Sequence, residues 1–68
     1  MGIVLHLDKL MEERGVNVTQ LAAAVGINRV NMSNLKNGKV NAVRFSTLAA
    51  LCRELHCQPG DIIEYVEE

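Results

Sequence analysis

The side chains with most to offer a ligand fall in one short stretch, NRVNMSNLKNGK, residues 28 to 39. Read as a helix, it turns Arg29, Val30, Ser33, Asn34 and Asn37 to one outer face, with three amides or hydroxyls and a single charge among them. An arginine fork can grip guanine with two hydrogen bonds, an asparagine can do the same with adenine, and a valine can meet a thymine methyl. That set is suited to reading base edges. Other candidate chemistry is thinner. The acid pairs Asp8/Glu12 and Glu64/Glu68 have no nucleophile or metal partner nearby and read as solvated faces. His6 and His56 have no acid within sequence reach to set them up for proton transfer. Cys52 and Cys57 are too few for a disulfide framework, and C-x-x-x-x-C beside one His lacks the four closely paired ligands of structural zinc. They read as reduced, packed thiols. Neither an enzyme, a cofactor nor a metal is expected.

Positioning such a face requires the rest of the chain. A first helix is expected over about 5–14, with Leu7, Leu10, Met11 and Arg14 on one side and Gly15 as its stop. Asn17 opens a second, and Gln20 three residues later completes a relative of the capping box. That helix ends near Val25 at Gly26, the residue most tolerant of a left-handed backbone. Asn28 caps the third, Met32 and Leu35 continue an inward face begun by Ile27, and Lys36-Asn37-Gly38-Lys39 closes it. Phe45, Leu48, Leu51, Cys52 and Leu55 make the stripe of a fourth helix. Pro59 marks the first turn of a short fifth that carries Ile62, Ile63 and Val66. Every apolar run has helical period, so the expectation is all-α, with no sheet.

Two helices that cross at a sharp angle over a turn of about four residues need small side chains where they touch. Ala22 supplies one. Gly26 supplies the corner, and Leu21, Val25, Ile27, Met32 and Leu35 supply the inward contacts. The pattern is a helix-turn-helix.

Sixty-eight residues, 49% of them hydrophobic, with one Phe, one Tyr and no Trp, fit one helical domain over 1–68 with an aliphatic core. The opening MGIVLHLDKL is too short an apolar run for a signal peptide or a membrane span. Gly2 is followed by His6 where a myristoylation signal wants Ser or Thr. A cytoplasmic chain is the expectation. Net charge is −1, but it is segregated: residues 1–13 sum to −2, residues 14–53 to +6, and residues 54–68 to −5. A neutral average hides a basic middle.

With these residues in order, the chain resembles the Cro/C1-type (XRE-type) helix-turn-helix domains of phage repressors and small bacterial regulators. The likeness runs from Leu5 to about Tyr65 and rests on Leu21 to Ile27 as L-x-x-x-V-G-I, Leu35 to Lys39 as L-x-N-G-K, and the Arg44-Phe45 opening of the fourth helix. The ending LCRELHCQPGDIIEY resembles a subgroup of very small members. The resemblance implies a five-helix lambda-repressor-like domain with its helix-turn-helix at about 18–36. It implies a third helix in the major groove of double-stranded DNA, with Asn28, Arg29, Val30, Ser33 and Asn34 at base edges. It places Asn37, Gly38 and Lys39 at the phosphate backbone and Arg44 at the minor groove. Where the family often has a phosphate-gripping Gln in the second helix this chain has Val18, which leaves Thr19 or that helix's N–H groups to make the contact.

The function so implied is sequence-specific regulation of transcription, as a repressor and homodimer. Ile62, Ile63, Tyr65 and Val66 outnumber what a small core can hide and are the expected self-association surface, with closure of the core by Ile62 and Val66 as the alternative. The alternatives are an antitoxin that also covers a partner toxin, for which little chain remains after Tyr65, and a helical protein-interaction module without DNA binding.

Overall fold

The computed structural model describes residues 2–67; Glu68, the second acid of the Glu64/Glu68 pair, lies outside them. The order is β1 (Gly2–Leu5), α1 (Leu7–Arg14), α2 (Val18–Val25), α3 (Arg29–Lys36), α4 (Phe45–Leu55), α5 (Pro59–Ile62) and β2 (Ile63–Val66). The second, third and fourth helices stand where their periodicity and caps predict them. Asn17 and Gln20 exchange side-chain bonds to each other's backbone N–H at 2.8 and 3.1 Å, the full capping box at the start of α2.

Four helices end in one kind of corner. After α1, α2, α3 and α4 the chain passes through a left-handed residue, Gly15, Gly26, Gly38 or His56. In each, the next N–H folds back onto a carbonyl five residues earlier: Val16 to Met11, Ile27 to Ala22 and Cys57 to Cys52 at 3.1 Å, and Lys39 to Asn34 at 2.8 Å. This is the Schellman arrangement, which satisfies end-of-helix carbonyls and brings the first and last side chains of the corner together.

The core is the aliphatic one the composition requires. Leu7, Leu10, Met11, Leu21, Ala22, Met32, Leu35, Leu51, Leu55 and Ile62 form one buried cluster. Ala22 lies inside it, where α2 meets α3, as a close crossing demands.

The structure departs from the sequence expectation at both chain ends. Residues 2–5 are a strand, and the first helix starts at Leu7 instead of near Leu5. The fifth helix is a single turn, and Ile63–Val66 leaves it as a strand. The two strands pair antiparallel, with Ile3 opposite Tyr65 and Leu5 opposite Ile63, so an otherwise helical fold carries a small two-stranded sheet. β-Branched and aromatic residues at Ile3, Val4, Ile63, Tyr65 and Val66 favour that pairing. Ile62 closes the core at 2% exposure and is not part of a free surface. Phe45, placed on the apolar stripe of α4 by spacing, is 87% exposed: it is the helix's first residue and projects before α4 reaches the core.

Candidate nucleic-acid interface

The Gly26 corner sets the angle between α2 and α3. Its N–H and that of Ile27 both donate to the Ala22 carbonyl, at 2.8 and 3.1 Å. Asn28 then starts α3 with its side-chain oxygen accepting the Asn31 N–H at 2.7 Å. That bond uses one lone pair of the Asn28 oxygen and leaves its two amide N–H groups for a ligand.

Beyond the cap, Arg29, Val30, Ser33 and Asn34 line one open groove together with Val18 of α2. Val30 is 69% exposed there, an apolar side chain held out to solvent between polar ones. The Val18 position therefore borders the same groove as the four residues singled out on α3. Asn34 also lines a second cleft, between α3 and the start of α4, with Asn31, Arg44 and Thr47. Asn31 and Thr47 escape the sequence reading; the available signal was Asn31's place three residues from both Asn28 and Asn34.

The end of α3 is built from the run that spacing marked as its stop. Asn37 follows the helix and donates weakly from its amide to the Ser33 hydroxyl at 3.5 Å, Gly38 is left-handed, and the Lys39 N–H returns to the Asn34 carbonyl at 2.8 Å. Asn37, Gly38 and Lys39 are exposed. Thr19 stands apart from the α3 groove. It lines a concavity with Val18, Asn17 and Lys36, and with Asp8, Lys9 and Glu12 of α1.

Charge sorts the same way. Arg14 reaches Glu13 at 3.5 Å and Arg53 reaches Glu54 at 3.1 Å, while Arg14 also donates to the Leu55 carbonyl. Arg29, Lys36, Lys39 and Arg44 have no acid partner among the described residues, and Lys9 of α1 is alike in this. The cations on and around α3 are thus available to an external anion, and those at the far end of α4 and of α1 are engaged. His6 does find an acid, Glu64 at 2.5 Å, but across 58 positions and on the strand side of the molecule. Among the described residues no group of three or more His, Cys, Asp or Glu could hold a metal ion, and no helix is long and apolar enough to cross a membrane.

A helix-turn-helix with a polar second helix and unpaired cations at its end defines a class of DNA-binding domain. Residues 6–68 match the Cro/C1-type HTH DNA-binding domain, and the chain belongs to that family. It is 51% identical over 65 residues to the uncharacterized HTH-type transcriptional regulator YozG of Bacillus subtilis (strain 168), covering 96% of this chain and 77% of that one. It is also similar to the crystal structure of the transcriptional regulator VanUg, with a TM-score of 0.76 and 32% identity over 98% of this chain and 88% of the other. DNA-binding regulation of transcription is the function these matches support for this chain.

Proposed function

We propose that the chain is a sequence-specific repressor that reads double-stranded DNA with α3 and acts as a homodimer in the cytoplasm, where its DNA is. What carries the reading is the groove that joins Arg29, Val30, Ser33 and Asn34, on a helix whose own cations and those that follow it have no acid partner among the described residues. Arg29 and Asn34 present forked donors and acceptors to base edges, Val30 meets a thymine methyl, and Ser33 adds a hydroxyl. Asn28 contributes through its amide N–H groups, while its oxygen caps the helix. Thr19, Asn37, Gly38 and Lys39 hold the phosphate backbone, and Arg44 approaches the minor groove. Lys36 and Asn31 extend this set.

A single reading helix gains specificity by pairing with another about 34 Å away in the next turn of major groove. The self-association surface is the face of the small sheet that carries Ile3, Tyr65 and Ile63. Ile3 and Tyr65, cross-strand partners, are 66% and 65% exposed, and Ile63 beside Tyr65 is half-buried against the core. An apolar pair this open on a short ribbon is suited to a second copy. Val66 alternates to the opposite face of β2, and Ile62 lies in the core.

The test compares Arg29→Ala with Lys39→Ala on a selected operator and on random DNA at two salt concentrations. Arg29→Ala is expected to cost about 1–3 kcal/mol on the operator and to relax preference at particular base pairs. Lys39→Ala weakens both DNAs alike and flattens the salt slope by about one. Parent-like binding by both variants everywhere would remove this surface from DNA recognition. Sedimentation with one monomer per DNA site would remove the dimer.

A further inference from the structure

We propose that Cys52 and Cys57 form a reversible dithiol–disulfide site, closed by thiol–disulfide exchange with a low-molecular-weight disulfide. The corner after α4 is what brings them together. Its backbone is the one used after α1 and α2, where the positions equivalent to Cys52 and Cys57 carry Met11 with Val16 and Ala22 with Ile27. This arrangement commonly brings the two outer side chains of the corner together. After α1 and α2 that pair is apolar. After α4 it is two thiols, and the Cys52 side chain acts directly on that of Cys57.

The distances agree. The Cys57 N–H lies 3.1 Å from the Cys52 carbonyl oxygen. Standard bond lengths then hold the two Cα atoms within about 7 Å of each other, at the outer edge of what a disulfide spans and before any inward turn of the side chains. Both cysteines are free and half-buried, packed against the core without being sealed in it. The corner residue His56 keeps the loop short by taking φ 53° and ψ 54°, a conformation that forces the chain straight back over the helix end.

The chemistry balances within named reactants. One cysteine thiolate attacks a sulfur of the small disulfide, expels one small thiolate and leaves a mixed disulfide. The other cysteine loses its proton, attacks the protein sulfur of that mixed disulfide, and expels the second small thiol as the Cys52–Cys57 bond forms. The protein gives up two electrons and two protons, and the small disulfide becomes two thiols. Burial first, then the neighbouring Cys52 thiol and Asp61, hold the Cys57 pKa above its ordinary value, against a lowering effect of Arg14. The Cys57 thiolate is therefore scarce near neutrality, and its attack quickens as pH rises through the alkaline thiol range. The site is a response to sustained oxidation, which suits a reducing compartment where such bonds are transient. Closing it ties the end of α4 to the residues that lead into α5.

The experiment incubates the folded protein with reduced and oxidised glutathione in varied ratio, traps free thiols by alkylation and reads the mass. The expected product of the parent is a monomer lacking two hydrogens, with no alkylation and no bound glutathione, and with a melting point raised by on the order of 5–15 °C. Cys52→Ser and Cys57→Ser should each stop at a single glutathione adduct instead. A parent that carries two glutathiones, links to a second copy, or stays fully alkylatable in excess oxidised glutathione would overturn the proposal. That readout needs no variant to fold, and peptide mapping of the parent locates the bond directly.

Discussion

The Gly26 and His56 corners share a backbone and differ in nearly everything built on it. Each returns an N–H to a carbonyl five residues back at 3.1 Å, and each holds one residue in the left-handed region. At the first, the left-handed residue is glycine and the contact pair is Ala22 with Ile27. The corner is followed by Asn28, which caps the reading helix. At the second, a histidine bears the same conformation, the pair is two thiols, and the chain proceeds to one turn of helix and a strand. A common turn thus serves two ends. One fixes the crossing angle of a recognition unit, and the other redirects the chain toward its partner strand.

Five substitutions break or sharpen that contrast. The largest effect is expected next to the second corner, where Leu55 is wholly buried, whereas Val25 beside Gly26 is only half-buried. Leu55→Ala should cost about 2–5 kcal/mol in denaturant unfolding, by lost burial and the cavity left behind. Val25→Ala, measured beside it, should cost clearly less; equal losses would mean that the two corners bear the same load. Next comes the first corner itself. At φ +89° a Cβ on residue 26 would meet nothing within 4 Å, so the penalty for Gly26→Val comes first from backbone strain, about 1–3 kcal/mol by thermal melting. A variant that melts like the parent would show that the turn has another way round.

His56→Gly runs in the opposite direction. Relief of a left-handed side-chain residue should stabilise the protein by about 0.5–1 kcal/mol, net of the added freedom of the unfolded chain. Loss of stability would mean that the histidine side chain contributes something its backbone does not reveal. The smallest effect belongs to the pair that crosses from β2 to the start of α1. His6 and Glu64 are both more than a third exposed, and Glu64→Gln should shift the unfolding free energy by less than about 1 kcal/mol. A larger loss would make this contact, more than the corner, the anchor of the second region.

The two regions also differ in how far the sequence discloses them. Asn17, Gln20, Gly26 and Asn28 act on atoms three to five positions away, so their types and spacing already contain the capped helices and the turn. Arg29, Val30, Ser33 and Asn34 share a groove because they share a helix face, and a face is readable from period alone. The strands are not readable in that way. Ile3 faces Tyr65 and Val4 faces Glu64, partners about sixty positions apart, and neither four-residue segment shows its pairing locally. His6 with Glu64 was hidden for the same reason. Phe45 misleads differently: periodicity reports which side of a helix a residue takes, but not whether the core extends to that turn. Thr19 shares its concavity with Lys36 and α1, and only packing reveals that neighbourhood.

The strand pairing has a further consequence, for the order in which the molecule can assemble. Caps and corners close loops of a few residues, which takes well under a millisecond, while joining β1 to β2 closes nearly the whole chain. The helical segments can therefore gather first, while β1 has nothing to pair with until residues 63–66 are brought near it. Until then Ile3, Val4 and Leu5 present an unpaired strand edge. The ribbon thus depends on the helices between its strands, whose packing must bring its two halves within reach.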